Sequence, residues 1–398
     1  MYLSLKNSVV AVTFLFVGWI GFKTYSYFFD MTPPAMQLIG IDENSFYAGD
    51  MECAVKSNKS GSLSLWLDGQ PLIARFSLSG NSEHPFTIPT KTIAHGRHTL
   101  KASFVDATYR KNTAQIEQVF TVDNVPLQAA FARPDADYKV FQGRTFHVQF
   151  QVNKPIKEAK VKTLSNEYLC FPEALHSLIY EAYIPVACEE NPNEYLFSVE
   201  IVDYVGNRVH LDNKFQVVLF PFKKQGLYIE QEKIKEESEQ AHDYNLEDAI
   251  TKAAAESPRE KLWRGAFCTP IDIQRITCEF GTIRTTQHRG RYAHRALDVI
   301  SFPPKSLVWA SADGKVAIKG RYEVSGNTVV LDHGWGVLSL YFHLEDFAKG
   351  LEVGKKVEKG NPLGMVGKTG HATGYHLHWE MRVNNIPVDP MQWTKPLF

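Results

Sequence analysis

Surplus charge of either sign is missing from this 398-residue chain, in which 43 basic residues face 44 acidic ones. Such a balance gathers neither nucleic acid nor an anionic surface by charge alone, so no nucleic-acid partner is expected. Cysteine is scarce. The five present include no CxxC pair, which argues against a thiolate zinc site or a dithiol redox motif. Cys170 with Cys188 and Cys268 with Cys278 could form two bridges or stay as buried thiols, with Cys53 left over. No tryptophan is flanked by cysteines at antibody spacing, so no antibody-type topology is claimed for the β segments. Hydrophobic residues at 44% and charged residues at 22% leave no large part of the chain that need be disordered.

One long apolar run is present. Ser8 to Phe22 is almost wholly apolar between Lys6 and Lys23, and Tyr25, Tyr27, Phe28 and Phe29 extend it with aromatic residues suited to a membrane interface. Residues 1–30 are therefore expected to be an N-terminal transmembrane anchor or a signal segment. The want of a small-x-small cleavage site before Pro33 favours the anchor. Either form exports the remainder, which places the protein in the cell envelope: held in the inner (cytoplasmic) membrane by its N-terminus, the rest periplasmic or extracytoplasmic.

The fold class read from the chain is mainly β. Residues 36–124 show short alternating segments such as SLSLWL and HTLKASFV, broken by Asp-Gly, Ser-Gly and His-Gly turns about every ten residues, the spacing of a β-sandwich. Residues 125–222 repeat the style with FHVQFQV and YLFSVEIVD. Both are expected to be β-sandwich, immunoglobulin-like domains serving as spacers or as platforms for envelope protein partners. Residues 227–262, rich in Glu, Lys and Ala and free of Gly, read as a helical linker with Asn245 as a cap. Strands and turn glycines return over residues 263–398, an expected antiparallel β-sheet domain.

Histidine concentrates in that last domain. His294 with Asp298 lies in HRALD, His343 in YFHL, and His376 with His378 in HLHWE. A catalytic zinc takes three nitrogen or oxygen ligands from the protein and leaves a fourth position for water. Alternation along a strand sends His376 and His378 to one face, and a loop entering a strand can bring His294 and Asp298 to a common metal. Helical HExxH geometry does not fit, because Ala296, Leu297, Val299 and Ile300 make no charged helix face and Pro303-Pro304 follow.

The order HxxxD, then Tyr-x-His-Leu, then Gly-Tyr-His-Leu-His-Trp-Glu resembles the lysostaphin-type (LytM-like) zinc metallopeptidases that cleave peptidoglycan. The likeness runs over about residues 288–393 and includes VGKTGHATG and NNIPVDPMQW. It implies one Zn2+ per chain, with His294, Asp298 and His378 as metal ligands and His343 and His376 as the two catalytic histidines, their separate roles open. Ala296 stands where the family has glycine, which would alter the ligand loop if that backbone needs a positive φ. The implied function is a membrane-tethered zinc metalloendopeptidase cutting cross-links or stem peptides of peptidoglycan. The alternative is a non-hydrolytic relative that binds peptide or activates another wall hydrolase.

Other residues have plainer readings. Turn chemistry explains His333, while His371 and His288 read as loop residues with a groove contact as the alternative. Trp335, Tyr292 and Tyr375 are candidates to line the groove or simply to pack. His210 and His242 read as surface residues.

Overall fold

The computed structural model describes residues 2–134, 137–226, 244–286 and 290–396. They fall into two compact units, residues 1–126 with 204–207 and residues 127–203 with 208–398.

The first unit holds a helix, Tyr2–Phe29, followed by two sheets. Among the described residues no helix is long and apolar enough to cross a membrane. The side chains of most of its first half, where the expected apolar run begins, lie outside the described residues. Three strands (Met36–Ile39, Met51–Ser57, Glu83–Ile88) form one sheet and five (Phe46–Tyr47, Thr113–Val122, Gly96–Asp106, Gly61–Leu67, Gln70–Leu78) the other. Strict alternation makes this possible. Leu100, Ala102 and Phe104 are buried on one face of their strand and meet Val55, Leu63 and Phe120 in a single core. The Asp68-Gly69 turn takes φ values of +50° and +78°, the left-handed pair that lets a two-residue hairpin follow the strand twist.

The second unit begins with another pair of sheets, five strands against four, around Phe146, Phe150, Val161, Phe197 and Phe215. Its C-terminal module is built on an eight-stranded antiparallel sheet. The order runs Arg275–Cys278, Leu297–Ile300, Leu377–Val383, Val337–Leu344, Gly326–Asp332, Gly314–Tyr322, Lys356–Val357, with Ile386–Val388 beside Leu377–Val383. A three-stranded sheet (Leu307–Trp309, Pro362–Met365, Asp346–Phe347) contributes Val308 and Leu363 to a core with Leu331, Tyr341, Leu377 and Trp379. The strand Val337–Leu344 is buried along its whole length because both faces are covered.

Its second cover is the helix Tyr244–Ala255. Leu246 and Ile250, four apart and fully buried, pack on Ile318, Val330, Leu338 and Leu340, and Arg382 donates to both Glu247 oxygens at 2.7 and 2.9 Å. This corrects the expectation of a helical linker over 227–262: the described part is an integral layer of the C-terminal module, residues 227–243 lie outside the described residues, and Asn245 sits inside the first turn. Ile250→Ala should destabilise this unit by about 2–4 kcal/mol, read from a denaturant titration of the full chain.

The junction between the second pair of sheets and the C-terminal module is also closed. Phe171 and Tyr183 pack with Trp263, Phe267, Val337 and Trp393. Gln392 exchanges two hydrogen bonds with the Thr145 backbone at 2.7 and 2.8 Å. Trp335 stacks on Phe171 with ring centroids 4.6 Å apart, so it belongs to this junction. Under it lies a buried ionic chain, with Lys261 Nζ 2.6 Å from one Glu181 oxygen and His147 Nε2 2.9 Å from the other.

All five cysteines are free, so of the two readings left open for the cysteine pairs the structure has thiols and no bridges. Cys170 is sealed in a sandwich core, while the Cys268 thiol points to the Ala310 carbonyl and the Cys278 thiol to the Glu279 carbonyl, beside its strand partner Asp298.

Candidate active site

Three strands bring the candidate residues together on one face of the large sheet. Asp298 and His378 are direct cross-strand partners, so their side chains project side by side. His294 precedes the Asp298 strand and is held by two backbone bonds, its N–H to Thr282 O and its carbonyl accepting from Gly281. Ala296 takes no positive φ and its methyl is fully buried, so the backbone between His294 and Asp298 does not demand glycine.

Distances are short. His378 Nδ1 lies 2.9 Å from one Asp298 oxygen and His294 Nε2 3.2 Å from the other. His376 Nε2 is 3.9 Å from Asp298, and the His343 ring lies 4.8 Å from that of His376 and 5.9 Å from that of His378. All five candidates therefore share one cluster. The register also supplies Phe342, whose ring stacks on the His378 imidazole at 5.1 Å.

His343 reaches the cluster by a local departure from strand geometry. The pairing of its strand with Gly326–Asp332 is irregular at this end, and His343 takes φ +62° while its N–H bonds Ser325 O at 2.8 Å. A non-glycine residue held in the left-handed region stores strain that the surroundings must sustain, a trait that gathers at functional sites. Gly367 sustains it from the other side. A Cβ there would meet the Glu345 nitrogen at 2.1 Å and the His343 carbonyl at 2.5 Å, and the same residue bridges to His376. Gly367→Ala should therefore separate His343 from His376, and a displacement on the order of 1 Å costs roughly 100-fold in rate, with unchanged far-UV circular dichroism as the control.

The protonation chemistry is equally ordered. His343 Nδ1 lies 2.9 Å from Thr369 O and His376 Nδ1 2.9 Å from Gly374 O. A carbonyl can only accept, so each Nδ1 carries a proton and each Nε2 is left for the cluster. Burial, reinforced by His378 and His376, pushes the His343 pKa down to about 3, which keeps this imidazole neutral. Burial alone would raise Asp298, but the imidazoles of His294 and His378 on either side of it outweigh that and hold the carboxyl well below its ordinary range.

Imidazole nitrogens around a carboxylate are a donor set that zinc accepts, and the buried His294 Nε2 has no hydrogen-bond partner, as a lone pair kept for a cation would. The residues fit a metal. A neighbour that the sequence does not announce stands beside them: ligand atoms of Cys278, His294 and Asp298 all lie within 4.8 Å of one another. The missing CxxC spacing had counted against a cysteine here. The neighbour comes instead from the pairing of Cys278 with Asp298, twenty residues on, which no local motif announces.

The remaining histidines separate cleanly. His333 is a satisfied core residue, its two nitrogens 2.7 Å from Asp313 O and from Ser339 Oγ, and burial lowers its pKa to about 4. His371 and His210 are exposed, whereas His288 and His242 lie outside the described residues. Tyr375 has Lys305 and Lys368 over its ring at 5.7 and 5.4 Å, and Tyr292 lines a cavity of about 520 Å³ beside Ala293.

The stretch that holds these residues is similar to known proteins. Residues 292–390 match the profile of Peptidase family M23. The chain is 38% identical over 135 residues to the DD-carboxypeptidase/endopeptidase Mpg of Neisseria meningitidis, covering 33% of this chain and 30% of that protein. It is 32% identical over 123 residues to the peptidoglycan DD-endopeptidase ShyC of Vibrio cholerae, covering 31% of this chain and 28% of that one. The matched stretch thus spans under a third of either relative. Among solved structures, a Pseudomonas aeruginosa protein described as a peptidase M23 aligns over 65% of this chain and 96% of its own at 22% identity, with a TM-score of 0.47. Residues 292–390 are a domain of peptidase family M23.

Proposed function

We propose that this protein is a membrane-tethered zinc endopeptidase that hydrolyses peptide cross-links or stem peptides of bacterial peptidoglycan, its N-terminal segment at the cytoplasmic membrane and the rest outside the cytoplasm. The observation that carries the reading is the convergence of His294 Nε2, the Asp298 carboxylate and His378 Nδ1, with an unpartnered buried nitrogen among them. Relatives that share the domain are named as peptidoglycan DD-endopeptidases. The two sheet pairs preceding the domain are read as immunoglobulin-like spacers, with surfaces available to envelope protein partners.

His294, Asp298 and His378 would hold one zinc ion. When bound, the metal supplies Lewis acidity, polarising a carbonyl oxygen and bringing the pKa of water to about 7. His343 and His376 present Nε2 atoms to the same space. His343, neutral by burial, offers a lone pair that takes a proton from an attacking water. A protonated imidazole at this pair donates to the oxygen on which negative charge develops. Thr369 O and Gly374 O fix both ring orientations, so little reorganisation is left for the reaction itself.

The test is digestion of purified peptidoglycan by the full-length protein, with released fragments read by mass spectrometry and zinc measured on the same sample. Soluble peptides cut at one bond type, lost on chelation and restored by zinc, are expected. One zinc per chain with no release from any wall preparation would refute the reading in favour of a peptide-binding or hydrolase-activating protein.

A further inference from the structure

Cys278 has no task in that reaction, yet it stands in line with the proposed ligands. Cys278 pairs with Asp298 and Asp298 with His378, so the three side chains succeed one another across three neighbouring strands on one face. Its sulfur lies within 4.8 Å of ligand atoms of His294 and Asp298. His294 is more than nine-tenths buried, and its Nε2, turned into this group, has no hydrogen-bond partner. A cysteine kept as a small hydrophobe would be surrounded by carbon. This one receives a hydrogen bond from Arg284 Nη2 at 3.2 Å, and that nitrogen lies 3.6 Å from Asp298.

We infer that Cys278 is a fourth protein donor to the zinc, a thiolate latch that closes the position water or substrate must enter and swings aside to open it. The inference rests on the zinc reading above. Three protein donors leave a zinc site open and four close it. As the latch closes, a sulfur–zinc bond forms, one water leaves and the thiol proton passes to solvent; opening reverses each change, so no oxidant or reductant is required. The backbone of Cys278 is fixed by its pairing, so the movement is a side-chain rotation between staggered positions. Arg284 Nη2 is placed to donate to the released sulfur, which regains its proton as the latch opens. The latched protein should retain zinc more tightly, and turn over more slowly, than one lacking the sulfur.

Cobalt(II) loaded in place of zinc into the full chain tests this. A thiolate donor gives cobalt an intense near-ultraviolet charge-transfer band that nitrogen and oxygen donors do not. The band is expected in the native protein and absent from Cys278→Ser, whose other four cysteines are intact. Chelator competition should show zinc held at least about tenfold more weakly by Cys278→Ser, and at saturating zinc its turnover should exceed that of the native protein. One metal per chain in both proteins with identical spectra lacking the band would overturn the latch and leave the zinc reading standing; failure of both to bind metal would overturn the two together. Should Cys278→Ser not fold, alkylation of native Cys278 followed by peptide mapping decides: protection by zinc is expected, and equal labelling with and without zinc overturns the proposal.

Discussion

Full-length protein carrying His378→Ala is expected to lose both metal and activity while keeping its fold. Loss of a group that only supports a ligand costs about 10- to 100-fold in metal affinity or activity, so loss of a ligand should exceed about 100-fold in peptidoglycan turnover. His378 is only partly buried and its neighbours in the strand, Leu377 and Trp379, supply the packing, so the substitution removes chemistry more than structure. Asp298→Asn should match it in activity, since both His294 and His378 lose the carboxylate between them. The two variants are compared by zinc content, fragment release and far-UV circular dichroism. Native zinc stoichiometry and turnover in His378→Ala would remove this side chain from the metal site.

The second large effect is expected far from the chemistry, at Lys261. Glu181 is buried, with Lys261 Nζ at 2.6 Å and His147 Nε2 at 2.9 Å. Removing one partner of a buried ion pair leaves a charge without compensation, which costs about 3–5 kcal/mol. Lys261→Met should therefore lower the melting temperature of this unit by on the order of 5–10 °C, and Glu181→Gln on the same background should return part of it. Dependence on pH follows from the same chain. Burial would raise Glu181, but hydrogen bonds with His147 and Lys261 prevail and lower it. Its stabilisation is complete above about pH 4.3, the usual unfolded value, and is lost as pH falls through the depressed native one. Burial also lowers His147, so below about pH 6.5 the unfolded state takes a proton that the native state refuses. Both groups weaken the fold in the same direction. Melting temperature should decline from pH 7 toward pH 4, and His147→Gln should flatten the portion between pH 6.5 and 5.

Much of this was legible because strands have a period of two. Alternation assigned buried faces to segments such as HTLKASFV, and HLHWE shows in plain view the two histidines that reach Asp298 together. What escaped depends on pairing between distant strands or on packing between layers. Cys278 faces Asp298 only because their strands are neighbours, and Trp335 found Phe171, some 160 residues earlier, in place of the groove. The left-handed backbone at His343 has no sequence mark, since histidine, although enriched there, takes positive φ only in a small minority of its positions. The helix at 244–255 reads as charged because its buried stripe is short, Leu246 and Ile250 backed by alanines, and its partner surface lies in strands that follow it. A recombinant fragment beginning near residue 260 would expose Ile318, Val330, Leu338 and Leu340.

The pairing of Asp298 with His378 constrains how this domain can change over generations. Neighbouring strands contribute to the cluster only in phase, so one inserted or deleted residue between His294 and Asp298, or between His376 and Trp379, would turn half the donor set toward the opposite side of the sheet. Loops that hold none of the five residues are free of that constraint, whereas the one with Thr369 and Gly374 is tied to His343 and His376. Within the strands that carry Asp298 and His378 change can proceed only by substitution, or by steps of two.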